Sequence, residues 1–271
     1  MALPDAQQQH LLEALQIWQH RVPDTRSALL PPTTGHPNPL IVGDLLVASV
    51  FSPGTVYAVD KASGRPQWSH KLDAYGDSCV IHARDRIYAK SSRTLYCLDA
   101  ASGREYWRFS PAHKGRETIY SSPTVHQGRV FIGDRAGMFH CLDALTGEQR
   151  WAHQVSTGKN NQVNATAAIH NDIVVIGSND SLVAAYDVLT GQERWRQSID
   201  GPCITELGSY DGRVFAQTTG SIYAFDASTG TIRFKKSWPQ MDVHSWTRCR
   251  DSLLAVVKAW RRDDQLTGFT P

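Results

Sequence analysis

His244 and Glu206 are residues of the types that would serve as an acid–base pair, an imidazole titrating near neutrality and a carboxylate to orient it. In the register of the repeat described below, they fall with Ser78, Ser121, Asn164 and Thr205 near the starts of the innermost strands, where the mouth of a central channel is expected. Such a polar, mixed set suits bound water or a small polar ligand. The plainer reading is that these hydroxyls and amides satisfy backbone groups at strand starts, and nothing in the spacing sets the distance between His244 and Glu206. Other chemistry is thinly represented. The eleven histidines include no two at ligand spacing with a carboxylate partner, and His140 and His153 fall inside predicted strands as structural groups. Asn164-Ala165-Thr166 matches a glycosylation sequon, a short and weak pattern. Neither a Gly-rich phosphate loop nor a Gly-x-Ser-x-Gly elbow occurs.

The elements that would position these residues come from a repeat. The pattern Asp-x-x-Ser/Thr-Gly occurs at Asp60–Gly64, Asp99–Gly103, Asp143–Gly147, Asp187–Gly191, Asp226–Gly230 and Asp264–Gly268. A period near 40 residues with β-type flanks indicates a propeller of four-stranded blades. Each aspartate is placed to accept from backbone N–H groups two or three residues on, and each glycine to supply a positive φ where the loop closes. Four residues after the glycine comes a large aromatic: Trp68, Trp107, Trp151, Trp195 and Phe234. Periodic placement makes these aromatics core residues, each removing about 150–250 Å² from water. The position two before the aspartate is small (Ala58, Cys97, Cys141, Ala185, Ala224) and is expected to be the floor on which a neighbouring blade's tryptophan packs. A second series of turns, at Gly43-Asp44, Arg84-Asp85, Gln127-Gly128, Asn171-Asp172, Asp211-Gly212 and Arg250-Asp251, marks the links between the first two strands of each unit.

The sixth copy is incomplete, since no aromatic follows Gly268, and Trp260-Arg261-Arg262-Asp263 replaces the apolar strand before Asp264. Residues 15–22, which include Trp18, resemble the last strand of the other blades. A lone strand there would have unpaired edges on both sides. The expectation is therefore an all-β, single-domain, six-bladed propeller over residues 1–271, with the repeats in 40–268. Residues 1–39 would hold a closing strand that completes the last blade and a proline-rich connector.

A formal net charge of +2 gives no support to nucleic-acid binding. No apolar run is long enough to span a membrane, and the first twenty residues lack the core of a signal peptide. The five cysteines (79, 97, 141, 203, 249) have neither paired nor metal-type spacing. A monomer in a reducing cytoplasm fits these features, and a trimmed chain of a periplasmic protein would read the same way.

Taken together, Tyr57 to Trp68, Tyr96 to Trp107 and Tyr223 to Phe234 spell Tyr-x-x-Asp-x-x-Ser/Thr-Gly-x-x-x-Trp/Phe. This string resembles the pyrroloquinoline quinone (PQQ) repeat family over residues 40–268. The resemblance implies blades linked by a tryptophan-docking motif. The family includes quinone-dependent dehydrogenases, and also cofactor-free rings such as a lipoprotein subunit of the bacterial outer-membrane β-barrel assembly machinery, which looks like a protein-binding scaffold. The dehydrogenase branch implies adjacent cysteines, a calcium or lanthanide site and a catalytic aspartate. No two cysteines here are neighbours, and the repeated aspartates already have a turn role. The expected function is a non-catalytic scaffold with a protein partner on the propeller rim, without cofactor or metal. The alternative is a small-molecule-binding or catalytic propeller using the channel mouth, a degenerate dehydrogenase with PQQ and calcium included.

Overall fold

The computed structural model describes residues 39–51, 54–112, 119–239, 241–249, 252–259 and 262–269, which form strands, turns and irregular segments without a helix. The chain divides into two compact units, with the boundary between Arg108 and Phe109.

The first unit contains two four-stranded antiparallel sheets. One is β1 (Leu40–Val42), β2 (Leu45–Val50), β3 (Thr55–Asp60) and β4 (Pro66–Lys71). The other is β5 (Gly76–Ala83), β6 (Arg86–Ser91), β7 (Leu95–Asp99) and β8 (Glu105–Phe109). The second unit continues with β9 (Thr124–His126), β10 (Arg129–Gly133), β11 (Met138–Asp143) and β12 (Gln149–Gln154). Next come β13 (Ala168–His170), β14 (Ile173–Ser178), β15 (Leu182–Asp187) and β16 (Glu193–Ser198), then β17 (Gly208–Tyr210), β18 (Arg213–Gln217), β19 (Ser221–Asp226) and β20 (Ile232–Ser237). These twelve strands make three more four-stranded sheets in which neighbours in sequence are neighbours in space. A three-stranded sheet of β21 (Met241–Cys249), β22 (Ser252–Ala259) and β23 (Arg262–Phe269) follows.

In the sheet of β13–β16 the two middle strands are buried at nearly every position, both of their faces being covered, whereas the fourth strand is largely in solvent. The links between first and second strands fall where the turn series placed them. Both residues of Gln127-Gly128 and of Asp211-Gly212 have positive φ, the hairpin geometry that matches strand twist. Val56, Ala58, Ile87, Tyr96 and Leu98 centre the core of the first unit. Phe131, Phe139, Val175, Ala184, Tyr186 and Phe225 centre that of the second.

Sheet-to-sheet contact within each unit runs through the tryptophans, but their seat differs from the expected one. Ala58, Cys141, Ala185 and Ala224 are fully buried, and each is the cross-strand partner of its own sheet's aromatic: Trp68, Trp151, Trp195 and Phe234. The neighbouring sheet contributes its repeat loop instead. Trp68 Nε1 donates to Ala100 O at 3.2 Å, Trp151 Nε1 to Val188 O at 3.4 Å and Trp195 Nε1 to Ala227 O at 2.9 Å. Each acceptor is the residue directly after the next repeat aspartate. The indole face lies on that loop's glycine: a Cβ on Gly103, Gly191 or Gly230 would stand 2.4 Å from Trp68 Cε3, 2.7 Å from Trp151 Cγ or 2.5 Å from Trp195 Cδ2. Glycine is needed there twice over, for the positive φ and for the ring above it.

The sixth copy of the pattern is not a loop. Asp264 and Gly268 lie within β23, opposite Lys258 and Leu254 of β22. Because β22 ends at Ala259, the next residues able to pair with it are those from Arg262 on. The segment carrying Asp264-Gln265-Leu266-Thr267-Gly268 therefore takes the third-strand place that precedes the aspartate loop in the other sheets. Trp18 and the closing strand and connector of residues 1–38 lie outside the described residues.

Gly230 and Gly212 share a φ of +71°, but an added Cβ meets Trp195 at Gly230 and nothing within 4 Å at Gly212. Gly212→Ala is expected to cost about 1–2 kcal/mol from left-handed strain alone. Gly230→Ala should cost about 1–3 kcal/mol more through overpacking. Chemical denaturation midpoints of the two variants check this, and equal losses would refute the seat.

Candidate functional site

The repeat aspartates are the most numerous acidic candidates, and their environment explains why they are not bases. Asp99 Oδ1 accepts from Ser102 N at 2.8 Å and from Ser102 Oγ at 2.6 Å. The same carboxyl atom accepts from Leu145 and Thr146 N–H in the next loop, from Leu189 and Thr190 in the one after, and from Ser228 and Thr229 in the last. The second oxygen is taken by the residue seven positions on. Tyr106 Oη donates to Asp99 at 2.7 Å, the Arg150 guanidinium to Asp143 at 2.7 Å, Arg194 to Asp187, and Arg233 to Asp226 at 3.0 Å.

The arginines reach back because of a bulge. The pairing of the third and fourth strands skips one residue directly after the small position, and the skipped residue is Arg150, Arg194 or Arg233. These contacts hold the carboxyls low. Asp99 is drawn down to about 2 chiefly by the Ser102 hydroxyl, Asp143 and Asp226 to about 2 chiefly by Arg150 and Arg233, and Asp187 to about 2 chiefly by the Thr190 N–H. Asp60 is lowered by the Ser63 hydroxyl.

A second set of acids escaped the sequence reading. Asp73 accepts from Ser91 Oγ at 2.6 Å and Thr94 Oγ1 at 2.7 Å, while its N–H donates to Tyr96 Oη at 2.9 Å. Asp200 repeats the arrangement with Ser221 Oγ at 2.7 Å, Thr218 Oγ1 at 3.1 Å and Tyr223 Oη at 3.2 Å from its N–H, and adds Lys235 at 3.0 Å. Burial alone would raise both carboxyls, but the hydroxyl donors, together with Lys235 at Asp200, outweigh it and both are lowered. At the hairpin of β14 and β15 the roles are exchanged: Ser156, two residues past the end of β12, donates its hydroxyl to Asp180. The sequence signal was an acid five residues after Trp68 and Trp195. These acids tie the end of one sheet to a hairpin of the next.

The predicted channel-mouth residues separate into three groups. Ser121 is buried and closed on Gly133, accepting from its N–H at 2.7 Å and donating to its carbonyl at 3.0 Å, which is the strand-start role of the plainer reading. Asn164 Nδ2 donates to Gln162 Oε1 at 3.1 Å, while Asn164 Oδ1 and Thr205 Oγ1 are buried atoms without a hydrogen-bond partner. Glu206 is exposed. Ser78 lies in β5, and His244 lies at a register irregularity of β21; their side chains fall outside the described set, so the His244–Glu206 pair falls outside it too. In the sequon, Asn164 is half-buried with its amide nitrogen engaged by Gln162, and Ala165 is fully buried.

His140 is held by Asp134 Oδ2 and Gln149 Oε1, each at 3.0 Å. His153 stacks on Tyr186 at 5.1 Å and leaves Nε2 without a partner. Cys97, Cys141 and Cys203 are fully buried; desolvation raises all three thiols, Cys141 and Cys203 to about 12, so none is a ready nucleophile. The carboxylates just described are committed to their own loops, to hydroxyls or to His140, and among the described residues no three His, Cys, Asp or Glu side chains are placed to hold a metal ion. Among the described residues no helix is long and apolar enough to cross a membrane.

A PQQ-repeat family model described as outer membrane protein assembly factor BamB matches residues 52–208. Among solved structures, BamB from Moraxella catarrhalis is similar at 18% identity and a TM-score of 0.67, over 88% of this chain and 76% of that one. Sqt1 of Saccharomyces cerevisiae is similar at 15% identity and a TM-score of 0.65, over 84% and 68%. A europium-containing methanol dehydrogenase shares 16% identity at a TM-score of 0.62, over 74% of this chain but 50% of its own length. Likeness at these identities shows the fold alone. No curated protein sequence matches the chain.

Asp99, Asp143, Asp187 and Asp226 have folded values near 2, below the roughly 3.9 of an unfolded aspartate. Their stabilising effect is complete above about pH 4 and is lost as pH falls toward 2. Denaturation free energy should drop across that window, and Asp187→Asn should flatten the drop while lowering stability at pH 7. An unaltered pH profile in the variant would contradict the assignment.

Proposed function

The chain belongs to the PQQ-repeat family described as outer membrane protein assembly factor BamB, and on that premise we propose that it is a non-catalytic scaffold that presents propeller loops to a protein partner. The observation that carries this reading is what the repeat loops do with their side chains. Their polar groups are consumed internally, while Leu145 and Leu189, two residues past their aspartates, stand 62% and 53% exposed. Exposed aliphatic side chains at two equivalent loop positions would add apolar contact area on burial by a partner. A loop already held by its aspartate and by the indole of the preceding sheet also loses little entropy on association.

In the same proposal the blades number six and are linked by tryptophan docking. The strand at residues 15–22 resembles the fourth strands and completes the sheet of β21–β23. Deleting residues 1–22 is expected to lower the melting temperature by well over 5 °C, and an unchanged melt would sink the closure.

For the scaffold itself, a tagged chain should retain a stoichiometric partner from lysate at moderate salt. Leu189→Ser should weaken that partner's affinity about tenfold, the loss of roughly 1.4 kcal/mol at a buried leucine contact, without altering the melting temperature. A clean bait, or equal binding by the variant, would count against the proposal.

A further inference from the structure

One peptide unit in the second unit is clasped from two sides. Ser178 O accepts from Cys203 N at 3.0 Å, and Asn179 N donates to Gln162 O at 2.9 Å. The approach is close, since a Cβ on Gly177 would stand 2.4 Å from Cys203 Sγ. Within two residues of this clasp lie four buried side-chain oxygens without a partner: Ser178 Oγ, Asn179 Oδ1, Asn164 Oδ1 and Thr205 Oγ1. Ser178 itself is 0% exposed.

The equivalent positions elsewhere are satisfied. Ser91 bonds Asp73, Thr218 bonds Asp200 and Asp134 bonds His140. In this sheet the acceptor that would serve Ser178 is replaced by Ser156, which turns to Asp180. Ser121 closes on Gly133, but Thr205, its counterpart, closes on nothing. Buried hydroxyls and carbonyls left unpaired are costly, and such groups in native proteins are met by water or a ligand.

We propose that the clasp around Ser178–Asn179 is a binding site for a small neutral molecule that donates O–H groups, supplied by solvent water or by a polyol. Two amide carbonyls accept, and two hydroxyls accept or donate. The nearest carboxylate in sequence, Asp180, is engaged by Ser156 and by Asn160 N at 3.1 Å, and Glu206 is exposed, so the lining carries no free buried charge that would call for an ion. This goes beyond the scaffold reading and stands or falls apart from it.

The test is the sign of a melting-temperature change. With an occupied site, Ser178→Ala and Thr205→Val each remove a made hydrogen bond, and each should lower the melting temperature by about 2–4 °C. With a dry site, deleting an orphan hydroxyl raises it. Saturation-transfer NMR with glycerol and with glucose separates the two sources: a signal in the native chain that Ser178→Ala abolishes identifies a polyol, and lowered melts without that signal identify water. Unchanged or raised melts in both variants overturn the proposal. So does a melting temperature that KCl or CaCl₂ raises in the native chain but not in Ser178→Ala. Should either variant fail to fold, a high-resolution crystal structure of the native chain decides, since no density within hydrogen-bond reach of Ser178 Oγ overturns the site.

Discussion

An indole laid on a glycine is the contact on which the rest of the described structure depends. Each ring meets three demands at one place: its face covers a loop glycine, its N–H satisfies a carbonyl of that loop, and its residue pairs across the strands with a small buried residue of its own sheet. A sheet whose central strands are apolar on both faces cannot stand alone in water. At Trp68, Trp151 and Trp195 one sheet's fourth strand is bonded to the next sheet's loop. A loop that receives an aromatic ring has no room for a side chain, so the seat and the turn geometry select the same residue.

The aspartate completes that seat rather than offering chemistry. One carboxyl oxygen organises the loop N–H groups. The other takes a guanidinium or phenol from a residue that the bulge re-aims. Together they shape the carbonyl that the indole N–H then finds. The acids after β4 and β16 perform a related duty between sheets, and the exchange of Ser156 for acid and Asp180 for hydroxyl shows what matters there: one donor and one acceptor, on either side.

Several of these features were legible in the residues and several were not. Five of the six Asp-x-x-Ser/Thr-Gly strings are loops of the expected kind, with the aromatics behind them and the hairpin links between. The string at Asp264 is not, because a local pattern specifies a turn only when the strand before it has already been laid down, and there β23 occupies that register. The small residues were recognised as core positions but credited to the wrong partner. Cross-strand pairing puts Ala58 and Trp68 in one sheet, and no spacing in the chain distinguishes that from contact between sheets. Of the channel-mouth residues, Ser121 kept the bland role foreseen for it, whereas the isolation of Ser178 was invisible, since it follows from an exchange between residues 156 and 180.

The sequence by itself determined the repeat unit, the all-β class, the turn residues and the aromatic in every four-stranded sheet's last strand. These follow from local rules: φ demands at glycine, hydrogen bonds over two or three residues, and apolar runs that must be covered. Tertiary structure decided which glycine each indole sits on and which buried hydroxyls have no partner. Those outcomes join residues 20 to 45 positions apart, where the partner is chosen by packing between sheets rather than by anything the chain encodes within a turn.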